Sequence, residues 1–390
     1  MGFRVLVFLS LTLYSCSAPQ KESQTSATLQ DLYDQGFGQY VGTISPTEII
    51  PLEEDGLQYE FDPLDGPMCL RGDSFRAASR PGSNGNLLIY LQGGGACWDD
   101  FCLAFQTANE GIPDAGILNR SLDVNPFQNW NVGYVPYCDG SLFCGDIDVD
   151  DDEDGQIDRY HRGLINLSAA FDAIHNDYPS PQRIVLTGMS AGGYGIVLSG
   201  ALARLLWPDV PIDIIADGGI GLGNPDDTEF ITDILNQWGI VDWITPICAD
   251  CFSDGHAIGF TEWLLTQDPT FTFKMISSKE DYIISDVFLG IGPEIYSEEV
   301  EEVNQRLEDA FPDQFTHFTF GGTKHTTLAI DSTSDLAYGG SMPFGDVVSS
   351  EQLDLILGRV DVISIDEISV ADWLNLWLDE SPEFTSLIEE

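Results

Sequence analysis

The chain has 390 residues, room for one large domain or two smaller ones, and 43% of them are hydrophobic, ample for a sizeable core. Its 64 acidic residues against 15 basic ones give a formal charge of −49, and only four lysines occur, at Lys21, Lys274, Lys279 and Lys324. Such a field repels phosphate, which argues against a nucleic-acid partner, and it opposes a strongly anionic polymer unless salt screens it.

At the N-terminus Arg4 supplies a positive flank, and Val5 to Tyr14 is an apolar run too short to span a bilayer. Leu13-Tyr14-Ser15-Cys16 has the form of a bacterial lipobox, so residues 1–16 read as a lipoprotein signal peptide with lipidation expected at Cys16. The expected location is outside the cytoplasm, on the cell envelope, with the membrane touched only through that N-terminal lipid. An ordinary secreted protein is the alternative. Residues 17–30 are polar and read as a flexible tether. Residues 31–390 are expected to form a single domain, and a monomer, because motifs on both sides of the central strand serve one site.

From about Leu57 strand-like and helix-like segments alternate, which predicts α/β architecture with a mostly parallel sheet flanked by helices. Asn86 to Leu91 is a buried strand that runs into Gly93-Gly94-Gly95, and Val132 to Tyr137 is another that ends at Cys138. The run Asp150-Asp151-Asp152-Glu153-Asp154-Gly155-Gln156-Ile157-Asp158, within an Asp-rich insert at 146–158, has the spacing of a calcium loop. Oxygen ligands fall at positions one, three, five, seven and nine (Asp150, Asp152, Asp154, Gln156, Asp158), with glycine at six and an apolar residue at eight. Position twelve is His161 instead of a bidentate glutamate. A structural calcium ion is therefore expected, a solvated acidic surface being the alternative. Leu164, Leu167, Phe171 and Ile174 share one helical face, which Pro179 closes.

Arg183 to Thr187 is a short β-branched and apolar run, and Gly188-Met189-Ser190-Ala191-Gly192 follows it where a helix can begin at Ala191. A serine on so sharp a turn stands clear of the sheet, with helix N-terminal amides beside it to receive an oxyanion. Ser190 is thus the expected nucleophile. The glycine triplet lies at an upstream strand end where backbone N–H groups can approach developing charge. Gly94 or Gly95, with the amide of Ala191, are the expected oxyanion donors.

Ile212 to Ile215 and Phe271 to Ile276 are further strands. Asp217 follows the first and reads as structural. The second leads into Glu280 and Asp281, with Asp286 a turn onward; Asp281 is the preferred acid and Asp286 the alternative. Glu298 to Phe311 reads as a charged surface helix and Phe315 to Phe320 as the last core strand. Of five histidines, His161 and His175 precede the serine, His256 has no strand leading into it, and His317 lies inside a strand. That leaves His325, in the loop after the strand, as the expected base. Ser369 caps a closing helix expected to pack Trp373, Leu376 and Trp377 inward.

Seven cysteines follow Cys16, and in an exported chain these favour disulfides; zinc is disfavoured, since only Cys248 and Cys251 have ligand-like spacing. The ordered motifs Leu91-Gln-Gly-Gly-Gly-Ala-Cys-Trp98, Val135-Pro-Tyr-Cys138, Tyr160-His-Arg-Gly163, Gly188-Met-Ser-Ala-Gly-Gly193 and Gly321-Gly-Thr-Lys-His-Thr326 together resemble the pectin acetylesterase family, which includes Notum and bacterial lipoprotein members. The resemblance runs from about Cys69 to the closing helix. It implies an α/β-hydrolase fold, a triad of Ser190, His325 and, less cleanly, Asp281, and bridges Cys97–Cys102 and Cys69–Cys138. Cys144, Cys248 and Cys251 are left unassigned. The implied activity is removal of O-acetyl groups from a polysaccharide through an acyl-enzyme, with no cofactor required for the chemistry. The Asp-rich insert after Cys138 departs from the family pattern and leaves the substrate class open. Fatty-acyl or other carboxylester hydrolysis on a lipid or lipidated peptide is one alternative, and a non-catalytic surface adhesin on the same fold is another.

Overall fold

The computed structural model describes residues 37–99, 101–244, 248–333 and 355–389. The expected signal peptide, Cys16 and the tether lie outside them.

The strands in chain order are β1 (Glu48–Pro51), β2 (Leu57–Glu60), β3 (Arg76–Arg80), β4 (Leu87–Leu91), β5 (Gly95–Trp98), β6 (Phe101–Ala104), β7 (Asn131–Val135), β8 (Ile147–Val149), β9 (Arg159–His161), β10 (Ile184–Met189), β11 (Ile212–Asp217), β12 (Thr272–Ser278), β13 (Phe315–Phe320), β14 (Ser364–Ile365), β15 (Ile368–Ser369) and β16 (Leu387–Ile388). Ten of them form one sheet in the order β1-β2-β3-β7-β4-β10-β11-β12-β13-β16. The first three are joined antiparallel and the remaining seven run parallel. The principal helices are α1 (Gly163–Asp177), α2 (Ala191–Leu206), α3 (Phe230–Gln237), α4 (Val241–Ile244), α5 (Ile258–Gln267), α6 (Pro293–Ala310) and α7 (Val370–Leu378). This mostly parallel sheet flanked by helices is of the α/β-hydrolase type.

The central strands are apolar on both faces because both faces are covered. Along β4, Leu87, Ile89 and Leu91 enter one core with Leu164, Leu167, Phe171 and Ile174 of α1. Leu88 and Tyr90 enter the other, with Trp373, Leu374 and Trp377 of α7. The alternation of a strand thus places consecutive residues in different layers.

Four expectations are corrected. Strand β7 stops at Val135 because Pro136 has no N–H to continue the ladder. Helix α6 starts five residues before Glu298, with Pro293 in its first turn. The sheet does not end at β13: the two-residue β16 adds parallel beyond it, a strand too short to show any periodicity. In α7 it is Leu374, not Leu376, that fills the core, since Val370, Trp373, Leu374 and Trp377 follow the helical i, i+3, i+4, i+7 spacing. Its N-terminus is the expected one. The Asp372 N–H donates to Ser369 Oγ at 3.0 Å, and the Ser369 N–H donates back to the Asp372 carboxylate at 3.2 Å.

Candidate active site

Strand β10 occupies the middle of the parallel sheet, between β4 and β11, and Ser190 stands at its C-terminal end, immediately before α2. Its backbone is held at φ 52°, ψ −119°, a conformation that L-residues adopt only when their surroundings enforce it. Those surroundings are close-packed. A Cβ on Gly192 would collide with the Leu91 carbonyl of β4, and one on Gly188 with Gly192 itself. The two glycines flanking the serine are therefore required by the approach of helix to strand. The Ser190 N–H donates to the Asp217 carbonyl at 2.8 Å, which fastens the turn to β11.

The structure pairs His325 with Asp281. His325 Nδ1 lies 2.8 Å from Asp281 Oδ2 and 3.0 Å from Oδ1, with both residues buried. Asp281 Oδ1 also accepts the amides of Ile283 and Ile284 at 3.0 and 3.1 Å. Burial raises the Asp281 pKa above the ordinary carboxylate value, opposed by the imidazole and these amides. The other imidazole nitrogen, Nε2, is buried and has no hydrogen-bond partner among the described residues. Asp286 is exposed and accepts from the adjacent Ser285 hydroxyl at 2.7 Å, and Glu280 is exposed as well. The remaining histidines are engaged elsewhere. His256 Nδ1 accepts the Gly223 backbone amide at 3.0 Å, His317 Nδ1 lies 2.8 Å from the Thr319 hydroxyl, and His175 packs edge-on against Trp207.

Ser190 opens on an apolar pocket of about 30 Å³, lined among others by Gly95, Ala191, Leu142, Tyr194, Ile283 and Phe288. Of the expected oxyanion donors, Gly95 and Ala191 border this pocket. Ala191 is the first residue of α2, so its amide has no carbonyl one turn earlier in the helix to bond. Gly94 instead packs against Phe105 and Tyr137, while Gly93 lies against Met189 and Ser190, where a Cβ would come within 2.9 Å of the serine Cβ. Leu142, Tyr194, Ile283 and Phe288 were not singled out in the sequence. They are ordinary apolar residues, and only the fold gathers them.

Both expected bridges are present, Cys69–Cys138 and Cys97–Cys102. The second ties β5 to β6, the hairpin that carries Gly95 and pocket residues Phe101 and Leu103. Cys248 pairs with Cys251, and Cys144 is free.

The Asp-rich loop joins β8 to β9. Asp150, Asp152 and Asp158 each direct an oxygen to one place, all within 4.8 Å of one another. Two expected ligands are not in that group. Asp154 accepts the Gln156 amide at 2.8 Å and the Gln156 side chain at 3.1 Å, so these two side chains satisfy each other. His161 at position twelve points inward: it is buried, its Nδ1 is 3.2 Å from the Asp139 carbonyl, and burial pushes its pKa down to about 4. Arg159 bridges the loop at Asp151 to Asp99 at the tip of the β5–β6 hairpin.

Comparison with known proteins identifies a relationship over part of the chain. Residues 65–237 match the family described as PAE: Pectinacetylesterase. Pectin acetylesterase 11 of Arabidopsis thaliana is 30% identical over 152 residues, which cover 34% of this chain and 37% of that protein. Pectin acetylesterase 7 of the same plant is 26% identical over 178 residues, covering 42% and 45%. The chain thus aligns with less than half the length of either relative. The matched stretch holds the glycine triplet, the Asp-rich loop and Ser190, and it ends before Asp281 and His325.

Proposed function

We propose that this protein, whose residues 65–237 match the pectinacetylesterase family, is a serine carboxylesterase that removes O-acetyl groups from a polysaccharide. The observation that carries the reading is the buried Asp281–His325 pair, whose Nε2 has no partner among the described residues and whose loop meets the Asp217–Gly219 segment to which the strained Ser190 turn is also bonded. Asp281 holds the proton on Nδ1, so Nε2 is the basic nitrogen. It accepts the Ser190 proton as Oγ attacks the ester carbonyl, and the amides of Ala191 and Gly95 or Gly94 receive the oxyanion. The imidazolium returns that proton to the leaving sugar hydroxyl as the C–O bond breaks. Water, deprotonated by the same nitrogen, then releases acetate from the serine.

The pocket at Ser190 supports a short acyl group. It is small and apolar, about 30 Å³, and Leu142, Tyr194, Ile283 and Phe288 surround it beside the serine. A fatty-acyl ester is accordingly the weaker reading, and an adhesin has no use for a strained serine turn and a buried Asp281–His325 pair. Ser190→Ala should lower kcat on an acetyl ester by several orders of magnitude with the fold intact, and His325→Ala should come close to it. Wild-type protein that neither releases acetate from acetylated polysaccharides nor is labelled at Ser190 by a fluorophosphonate would sink the reading.

Two further assignments belong here. The clustered oxygens of Asp150, Asp152 and Asp158 support a structural calcium ion in the loop, with no part in the acyl transfer. The lipobox supports export and lipidation at Cys16, leaving the enzyme tethered to the envelope. Mass spectrometry of the native N-terminus tests the second: acyl chains on Cys16 are expected, and an unmodified terminus beyond it refutes the anchor.

A further inference from the structure

Asp217 is the last residue of β11 and is fully buried. A carboxylate at such a place needs partners, and its partners here are specific. Oδ2 accepts two successive amides, Thr327 and Leu328, each at 2.8 Å, and Oδ1 accepts the Thr327 hydroxyl at 3.3 Å. These residues come two and three positions after His325, so the carboxylate grips the loop that carries the imidazole. The backbone of the same residue grips the other side, since the Asp217 carbonyl accepts the Ser190 amide at 2.8 Å. The next two residues complete the contact. A Cβ on Gly218 would collide with the His325 carbonyl, and one on Gly219 with the Ser190 carbonyl.

We infer that Asp217 is a positioning residue, a single anchor that fixes the distance between the serine turn and the histidine loop. The inference rests on the ester-hydrolase reading for its kinetic consequence, but not for its geometry. Two amides of one loop converge on one carboxylate oxygen, and the same residue's carbonyl holds the nucleophile. No other described residue bonds both segments in this way. Among the described residues, the acids that interact with the imidazole include Asp281, on the loop after β12, and Asp217, at the end of β11. Burial raises the Asp217 pKa to about 7, opposed by the Leu328 and Thr327 amides and by the nearby imidazole. A buried acid in this position serves no packing need that an apolar residue would not meet better. Its use is to organise the amides of a loop that must not drift.

The test combines kinetics with a signature of the imidazole that does not depend on turnover. Asp217→Ala leaves both loop amides without an acceptor. It is expected to lower kcat on an acetyl ester on the order of 100-fold while KM stays nearly constant, because misplacing a catalytic group by about 1 Å has that effect. Asp217→Asn keeps an oxygen facing the two amides and should fall between Ala and wild type, a partial rescue. The Nδ1 proton shared by His325 and Asp281 should shift in the proton NMR spectrum in the same order. A folded Asn or Ala variant with wild-type kcat and an unmoved Nδ1 proton overturns the inference, as does a loss confined to thermal stability. Should the wild type hydrolyse no ester while the proton still shifts, the enzymatic reading fails and the anchor stands.

Discussion

At the scale of single residues, the decisive ones are placed by backbone geometry more than by their own chemistry. Leu142 shows this. It sits at positive φ, 56°, in the loop after Cys138, with its amide donating to the Tyr137 hydroxyl at 3.1 Å. Asp139, buried and with its pKa raised to about 6 by that burial, accepts the Ser141 and Phe143 amides and holds the same loop. The Leu142 side chain lines the pocket at Ser190 and also a second apolar cavity of about 70 Å³, lined by Trp238, Ile240 and Phe260 among others. Leu142→Ala should therefore join the two spaces. Preference should move from acetyl toward butanoyl and hexanoyl esters by roughly tenfold in relative kcat/KM, the scale at which a hydrophobic pocket discriminates methylenes. The truncation should also destabilise the protein by about 2–5 kcal/mol. A chain-length profile identical to the wild type would show that Leu142 does not set the depth of the acyl site.

At the scale of elements, the β8–β9 hairpin has little cover of its own. Residues 150–157 are mostly exposed and carry five acidic side chains. Three of their neighbours hold the loop down: Arg159 on Asp151, Arg162 on Asp148, and Arg71, which donates to the Asp158 carbonyl at 2.7 Å. The clustered carboxylates repel one another, and a divalent cation would relieve that repulsion. Calcium should bind weakly, with Kd on the order of 10⁻⁴–10⁻³ M, because no bidentate glutamate closes the loop. Asp150→Ala together with Asp158→Ala should abolish the uptake, and chelation should lower Tm with only a partial effect on kcat. Since Arg159 also holds Asp99, that partial effect would reach the site through the β5–β6 hairpin. Calorimetry without calcium uptake at millimolar concentration returns the loop to a solvated acidic surface.

At the scale of the whole molecule, the charge of −49 is the dominant long-range term. Several of the few cations are already committed to acidic partners, such as Arg204 to Asp268, Arg306 to Asp254 and Glu262, and the buried Lys274 to Asp213. The remaining carboxylates face one another across the surface, and their mutual repulsion opposes compaction. Salt shortens its range, from a Debye length of about 30 Å at 0.01 M to about 3 Å at 1 M. Tm should therefore rise with sodium chloride over that range. Screening also weakens exposed ion pairs such as Arg306–Asp254, so the sign of the change is informative. A fall in Tm would mean that the pairs outweigh the repulsion.

The sequence by itself determined the local chemistry. Gly188 to Gly192 after a β-branched run is legible because a nucleophile turn needs small neighbours at fixed offsets, and those offsets are short-range. The glycine triplet, the capping box at Ser369 and the alternating elements are legible for the same reason. The acid was legible only as a preference for Asp281 over Asp286. Asp281 and Asp286 lie five positions apart, on either side of the start of the helical turn Ile283–Phe288, and the preference is decided by burial against His325, 44 residues away. The calcium spacing suggested five ligands, and the carboxylates of three of them, Asp150, Asp152 and Asp158, converge, while the Asp154 and Gln156 side chains bond each other. Asp217 read as structural, and only the parallel pairing of β10 with β11 brings its two ends to the serine and the histidine loop. Pairings at long sequence separation are set by which strands lie side by side, and that is decided by burying both faces of the sheet at once, a property of the whole chain that no local window contains.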